Sequence, residues 1–463
     1  MEQAMKTKTK SPKLWSKNFT ILTLGSFVSM LGNSVSGYII SLMIFDMTGS
    51  VFLFSVFTVS FYLPKMLFSM FAGAYMDRFS RKRVIYTLDF TSAFLYGIIF
   101  LILFMQWNFY WLFLILVLIV GSINGIYEVA FNSLFPNTIS RDVYSRAYAV
   151  SSMIQPLALT MIPVASLIYY NFGSAAPLFI FNVVAFLTAA IFETHIDCPE
   201  GHISAEEKKV TFSSYKEDIK EGFRYTSKDK GLFAITIYFC VMNFASGAYG
   251  TLALPFFRSA TDHFAGGERQ FPLLFSLLKH LGAFGDWLQG IFEYLCNDTA
   301  TLYTFVMAFG VIGRLLGGTI QYKLKYSHKM RFTISVICCV LIGILDMTML
   351  YLPARFIMLC CLLTGLLSIA VYNIRLSTTQ AYVSDEKRAR FISFFEMLFA
   401  AGNILGQVLS GILGEFIHGR FIISAFNVIN LIALFAVIVA NAKSVKKIYN
   451  IEIKEDSKVK PKA

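Results

Sequence analysis

Charge is what this chain has least of. Asp, Glu, Lys and Arg make up 15% of its 463 residues and hydrophobic residues 56%, with a mean hydropathy of +0.62. Soluble domains carry about 25% charged residues, so the deficit excludes water as the solvent of most of the surface. Other chemistries are excluded by missing motifs. The phosphate-cradling pattern Gly-x-x-x-x-Gly-Lys-Ser/Thr occurs nowhere, so this chain by itself cannot drive work with ATP. No paired-His motif, Gly-x-Ser-x-Gly elbow or cluster of ligands lies in the apolar runs, which leaves a membrane-embedded enzyme without a site. The seven cysteines show no metal-site spacing, so neither a disulfide framework, nor zinc, nor any other cofactor is expected. Strand alternation is missing too: Leu112 to Val120 is apolar throughout, unlike a membrane-barrel strand.

What is present is a series of apolar runs, each long enough as a helix to cross a hydrocarbon core of about 30 Å. Spans are expected near 19–45, 51–74, 84–105, 109–132, 146–169 and 175–192, then 232–256, 300–321, 331–352, 356–374, 391–417 and 420–440. The net charge of +12 could suggest nucleic acid, but its distribution excludes that partner. Basic residues cluster at Lys6 to Lys17, Arg78 to Arg83, Arg141 to Arg146, Lys208 to Lys230, Lys323 to Arg331, Lys387 to Arg390 and Lys443 to Lys462, at every second connection. That alternation follows the positive-inside rule and puts both termini in the cytoplasm. The apolar stretch from Thr20 to Phe45 is too long for a signal-peptide core and is expected to stay as the first membrane helix.

The fold class is therefore all-α integral membrane, with about twelve transmembrane helices in two six-helix bundles. Residues 1–193 form the first bundle, 194–231 a charged cytoplasmic loop that is partly helical, 232–442 the second bundle, and 443–463 a basic cytoplasmic tail. An outside segment, 258–298, is longer than the other outside connections. Phe271, Leu274, Phe275, Leu278, Leu281, Trp287, Ile291 and Leu295 follow helical spacing there, with Lys279, Asp286 and Glu293 between them. Two roles stay open for it: a helix lying on the outer membrane surface, or a gate over the transport path.

The most specific local feature is Gly73-Ala-Tyr-Met-Asp77-Arg78-Phe-Ser-Arg81-Lys82-Arg83. Gly73 permits close helix approach, and Asp77 can pair with the following cations in one state and release them in another. It resembles the Gly-x-x-x-Asp-Arg-x-x-Arg-Lys-Arg loop of the major facilitator superfamily. Leu31-Gly-Asn-Ser in the first helix, Asp46-Met-Thr-Gly-Ser after it and Glu221-Gly-Phe-Arg-Tyr before the seventh extend the resemblance. Within the superfamily the sequence is most similar to the bacterial branch of the enterobactin exporter and macrolide efflux proteins. Two departures stand out: the second half has Tyr322 where the first has Asp77, and the Gly-Pro-rich fifth-helix motif of many drug antiporters is absent from Ser151 to Tyr170.

Ionisable residues inside the spans are costly in lipid and usually face a cavity or a partner. Glu128 and Glu396 are the leading candidates for proton coupling, as buried carboxylates, followed by Asp89 and Asp346, either of which could instead pair structurally with a cation. Glu396, Asn403, Gln407 and Ser410 share one helix face. So do Asn124, Glu128 and Asn132, and likewise Ser26, Ser29 and Asn33, while Asn243 and Ser246 lie in the seventh span. The resemblance implies that helices one, four, seven, ten and eleven line a central cavity. That makes Ser29, Asn33, Asn124, Asn132, Asn243, Ser246, Asn403 and Gln407 substrate-cavity candidates, with Arg314 as the most central cation. Inter-helix hydrogen bonding that only supports packing is the competing role for each polar residue. Lys65 and Arg375 lie nearer helix ends, where long side chains can snorkel.

The reading is a monomeric secondary transporter of the plasma (bacterial inner) membrane, exporting small amphipathic molecules in exchange for protons. Its partners are a small-molecule substrate, protons and membrane lipid. Uptake, lysolipid flipping or a non-transporting sensor remain possible on the same fold.

Overall fold

Hydrocarbon offers nothing to hydrogen-bond a free backbone, so a chain in lipid closes its N–H and C=O groups within helices. The computed structural model describes residues 15–76, 79–107, 110–139, 161–198, 212–323 and 327–451, with isolated positions between 147 and 158. Every regular element among them is helical. In the first half these are α1 (Lys17–Thr48), α2 (Val51–Met76), α3 (Arg81–Phe104), α4 (Tyr110–Leu134), α5 (Met161–Phe172) and α6 (Ala176–Thr194). The polar α7 (Phe212–Lys228) follows, then α8 (Lys230–Ser259). A shorter pair comes next, α9 (Pro272–Leu278) and α10 (Gly282–Asn297). The chain continues through α11 (Thr299–Lys323), α12 (Arg331–Thr348), α13 (Ala354–Tyr382), α14 (Asp385–Gly414) and α15 (Gly419–Ala433), the last prolonged by a π-helical turn at Leu434–Val439. The short amphipathic α16 (Ala442–Tyr449) ends the described chain.

Eleven of these helices are long and apolar enough to cross a membrane. The first part of the expected fifth span, 146–160, is described only at isolated positions; its end, from Met161, coincides with α5. Several helices outrun their expected spans. At 1.5 Å per residue the 32-residue α1 is about 48 Å long, so its ends project beyond an apolar core of about 30 Å.

The chain divides into two compact units, residues 1–43 with 60–208 and residues 44–59 with 209–463. In the first, α3 packs along α6, and α4 presses on α2 through two glycines. A Cβ at Gly121 would stand 2.4 Å from the Phe61 carbonyl oxygen, and one at Gly125 2.3 Å from that of Lys65. The second unit repeats the device: a Cβ at Gly313 would stand 2.1 Å from the Leu362 carbonyl oxygen, so α11 and α13 also touch backbone to backbone. Without a hydrophobic drive between helices in lipid, such small-residue contacts supply the packing.

Residues 44–59 are held within the second unit by side-chain bonds. Ser50 Oγ and the Phe52 N–H both donate to Glu415 Oε1 at 2.7 Å, Ser55 Oγ donates to the Gln407 carbonyl at 2.8 Å, and Asp46 is ion-paired with Arg258. Glu221 of α7 is ion-paired with Arg390 and, at 3.7 Å, with Lys387, which docks the helical part of the central loop on α14.

The segment from 271 to 297 holds two helices, α9 and α10, not the single helix its spacing suggested. Gly282 has φ +55, a left-handed turn that breaks the chain between α9 and α10 and resets the helical phase. Phe275 and Leu278 are consequently buried, whereas Leu281 and Trp287, assigned to the same stripe, are exposed, as are Leu273, Leu277 and Phe284. Buried Gln270 fastens the segment: its Oε1 accepts from the Ala354 N–H at 2.9 Å, and its backbone carbonyl from Arg355 Nη1 at 2.6 Å.

Candidate functional site

The polar face of α1 reaches four neighbouring side-chain systems in succession. Ser26 and Tyr127 hydroxyls lie 3.1 Å apart, and Tyr127 donates to Glu193 Oε1 at 3.1 Å. One turn further, Ser29 Oγ donates to Asp89 Oδ2 at 2.7 Å. Asn33 and Asn124 exchange amide bonds at 2.7 and 3.2 Å, and Tyr96 OH donates to Asn33 Oδ1 at 3.1 Å while lying 2.8 Å from Ser36 Oγ. The spacing of 26, 29, 33 and 36 keeps all four on one stripe, as helical periodicity requires.

These contacts separate two environments. Asn33 and Asn124 are half-buried, and one turn along α4 from Asn124 the Glu128 carboxylate meets Lys65 Nζ of α2 at 3.0 Å. The Glu128 side chain is 50% exposed and that of Lys65 34%, so Glu128 is not the buried carboxyl expected of it. Lys65 is its neighbour because Gly125 lets α4 rest on the Lys65 backbone. Ser29 departs from expectation the other way: it is buried, its hydroxyl committed to Asp89, so it points into the packed interior and not into an open cavity. Asp89 is buried with it, beside the Ser29 hydroxyl and the Glu193 carboxyl. Asn132 is exposed.

Of the basic motif, Gly73 lies within α2, and Asp77 and Arg78 fall outside the described residues. Ser80 caps α3 by accepting from the backbone N–H of Arg83, whose side chain is exposed. Arg81 Nη1 donates to the Ser133 carbonyl at 2.9 Å, and Lys82 Nζ to the Ile196 carbonyl at 3.0 Å. Cations at helix C-termini satisfy carbonyls that have no partner within the helix. The start of α3 is thereby tied to the ends of α4 and α6.

In the second unit, Asn243 Nδ2 donates to the Phe399 carbonyl at 2.7 Å and Asn403 Nδ2 to the Asn243 carbonyl at 3.4 Å, which draws α8 and α14 together, while Gln407 Nε2 donates along α14 to Asn403 Oδ1 at 2.8 Å. Gln407 Oε1 is buried without a donor. Ser246 is exposed. Arg314 of α11 has Asp346 of α12, Tyr249 of α8 and Cys361 of α13 as electrostatic neighbours. Tyr249 OH lies 3.8 Å from Cys361 Sγ and completes that group.

Arg375 overturns its snorkelling assignment. It is 5% exposed, with its guanidinium carbon 4.2 Å from the Phe395 ring centroid and 5.2 and 5.4 Å from those of Tyr372 and Phe239. Glu396, expected to be buried, is exposed, and its charge acts on Arg375. Stacking on aromatic faces suits the planar, weakly hydrated guanidinium. Glu193, Tyr96 and Tyr127 were also missed. Glu193 sits at the end of its apolar run, just past the expected span, where a carboxylate reads as loop.

A two-unit helical chain with paired backbone contacts and polar groups turned inward is what a family comparison then resolves. Residues 22–384 match the model of the Major Facilitator Superfamily. The chain belongs to that family of transporters. Macrolide efflux protein A of Streptococcus pyogenes is 20% identical over 338 residues, covering 71% of this chain and 78% of that protein. The MFS-type transporter YkuC of Bacillus subtilis (strain 168) is 21% identical over 247 residues, or 51% and 56% of the two chains. The crystal structure of the nucleoside transporter NupG superposes with a TM-score of 0.64 at 15% identity, over 91% of this chain and 98% of that one, which carries the fold alone. As a superfamily member the chain is a multi-pass membrane transporter of a small molecule.

Proposed function

We propose that the chain is a proton-coupled exporter of small amphipathic molecules, macrolides among them, in which two helix bundles expose a central cavity to each side in turn. The single observation that carries the reading is the Lys65–Glu128 pair, half exposed beside the Asn33–Asn124 amides. A charge pair fully buried would be structural, and one on a solvated rim would contribute about 0–1 kcal/mol. One in between remains open to cargo and to protons. Arg314 with Asp346, in the other unit, supports a second charged contact for cargo. Similarity to a macrolide efflux protein supports the outward direction. The alternating basic connections support a plasma-membrane protein with both termini in the cytoplasm, working as a monomer among lipids. Ties from Arg81 and Lys82 support the loop from Gly73 to Arg83 as a latch that opens and closes with the cycle.

The test is accumulation of macrolides, cationic dyes and siderophores in cells with and without the protein, before and after a protonophore. Lower accumulation only in energised cells that carry the protein supports export and names a cargo class. Higher accumulation in those cells would replace export by uptake.

A further inference from the structure

The Asp89 and Glu193 carboxyls are neighbours inside the first unit, where α3 packs along α6, and both are buried. Their partners do not complete the arrangement. Ser29 serves Asp89 Oδ2 and Tyr127 serves Glu193 Oε1, while Glu193 Oε2 is buried with no donor. Two neighbouring carboxyl groups have no donor for each other unless one carries a proton, and like charges side by side in a dry site repel one another. One shared proton fills the empty position on Oε2 and removes the repulsion together.

The surroundings isolate the pair. From α1, Ser29 donates to Asp89, Ser26 lies beside Tyr127 and Gly25 packs against the Glu193 carboxyl; from α3 and α4 the titratable groups beside the pair, among the described residues, are the phenols of Tyr96 and Tyr127. On α6 the next ionisable residue is His195, exposed and bonded to the Ile191 carbonyl. Lys82 and Arg81 stand at the same end of the unit, bonded to the carbonyls of Ile196 and Ser133. Asp89 lies eight residues, or about 12 Å, inside α3 from Arg81, and Glu193 is the penultimate residue of α6.

We propose that Asp89 and Glu193 hold one proton between them and are the site that loads and releases the coupling proton. The inference rests on the proton-coupled reading above and names the site for it. When the proton leaves to water, two neighbouring carboxylates are left unbridged, and α3 and α6 separate where Lys82 ties them. When it returns, the bridge re-forms and the helix ends close. Proton occupancy is thereby converted into the position of the helix that begins at the basic loop.

Glu193→Gln and Asp89→Asn test this, because an amide at either position can accept the existing hydroxyl bond and donate to the opposite carboxylate. A merely structural pair survives either substitution; a proton site does not. On the purified full-length protein, infrared difference spectra between acidic and alkaline buffer are expected to show a deuterium-sensitive carbonyl band from a protonated buried carboxyl. Both variants should lose it. In proteoliposomes, erythromycin counterflow, which needs no net proton movement, should persist in Glu193→Gln while acceleration by a pH gradient is lost. Persistence of the band in both variants, or full gradient-driven transport by either, would overturn the assignment. If wild type ignores the gradient, coupled transport fails as a reading, and the infrared band, which needs no cargo, still decides whether the pair holds a proton.

Discussion

Gly125→Ala should weaken the protein and disturb its charge pair in one step. The added Cβ would stand 2.3 Å from the Lys65 carbonyl oxygen, a backbone atom that cannot swing aside. Ordinary contact needs about 3.5 Å, so α4 and α2 must part by about 1 Å, and overpacking of this kind costs about 1–3 kcal/mol. Helix propensity returns at most about 1 kcal/mol of that when Gly becomes Ala. The same displacement stretches the Lys65–Glu128 pair from 3.0 Å toward 4 Å. Unfolding in detergent by added denaturing surfactant, read as ΔΔG, measures the first effect, and transport of a panel compound the second. Gly250→Ala is the control: a Cβ there meets nothing within 4 Å, so the variant should match wild type or gain slightly. If Gly125→Ala and Gly250→Ala behave alike, the backbone contact between α2 and α4 is refuted.

Three further outcomes are expected. Lys65→Gln should reduce stability more than the double variant Lys65→Gln with Glu128→Gln, because a lone charge costs more than an absent pair; a double-mutant cycle with no coupling would remove the ion pair from the site. Arg375→Lys should destabilise by about 1–2 kcal/mol despite keeping the charge, since an ammonium cannot stack on Phe395, Tyr372 and Phe239 as a guanidinium does, and unchanged detergent stability would contradict that stacking. Trp287, exposed on α10 with Phe284, should be quenched by brominated lipid in a single-Trp variant in nanodiscs; quenching only by aqueous iodide would mean that α9 and α10 stand clear of the bilayer as a gate.

The fold was legible because lipid permits so few solutions: eleven of the expected spans, all but the fifth, return as helices long and apolar enough to cross a membrane. The polar stripes were legible as faces, and Asn33 does meet Asn124 as their spacing allowed. Periodicity does not say which neighbour a face meets. Ser29 and Asn33 share a stripe, yet one is buried on Asp89 and the other looks onto a half-open face. Charge at depth was equally ambiguous: Glu128 is half exposed because Lys65 reaches it, and Arg375 turns inward because three rings from three helices receive it. Glu193 was hidden by its position at a helix end, and the break at Gly282 by a hydrophobic spacing that runs unaltered through it.

The most direct test of proton-coupled export uses purified protein in liposomes with an acidic lumen that contains a pH-sensitive dye. Labelled erythromycin is added outside, with protein-free liposomes measured alongside for passive trapping of the weak base. Coupled exchange predicts accumulation beyond the protein-free level, with the lumen turning alkaline in step. Accumulation equal to that of protein-free liposomes, or an excess with no extra proton loss, would contradict it.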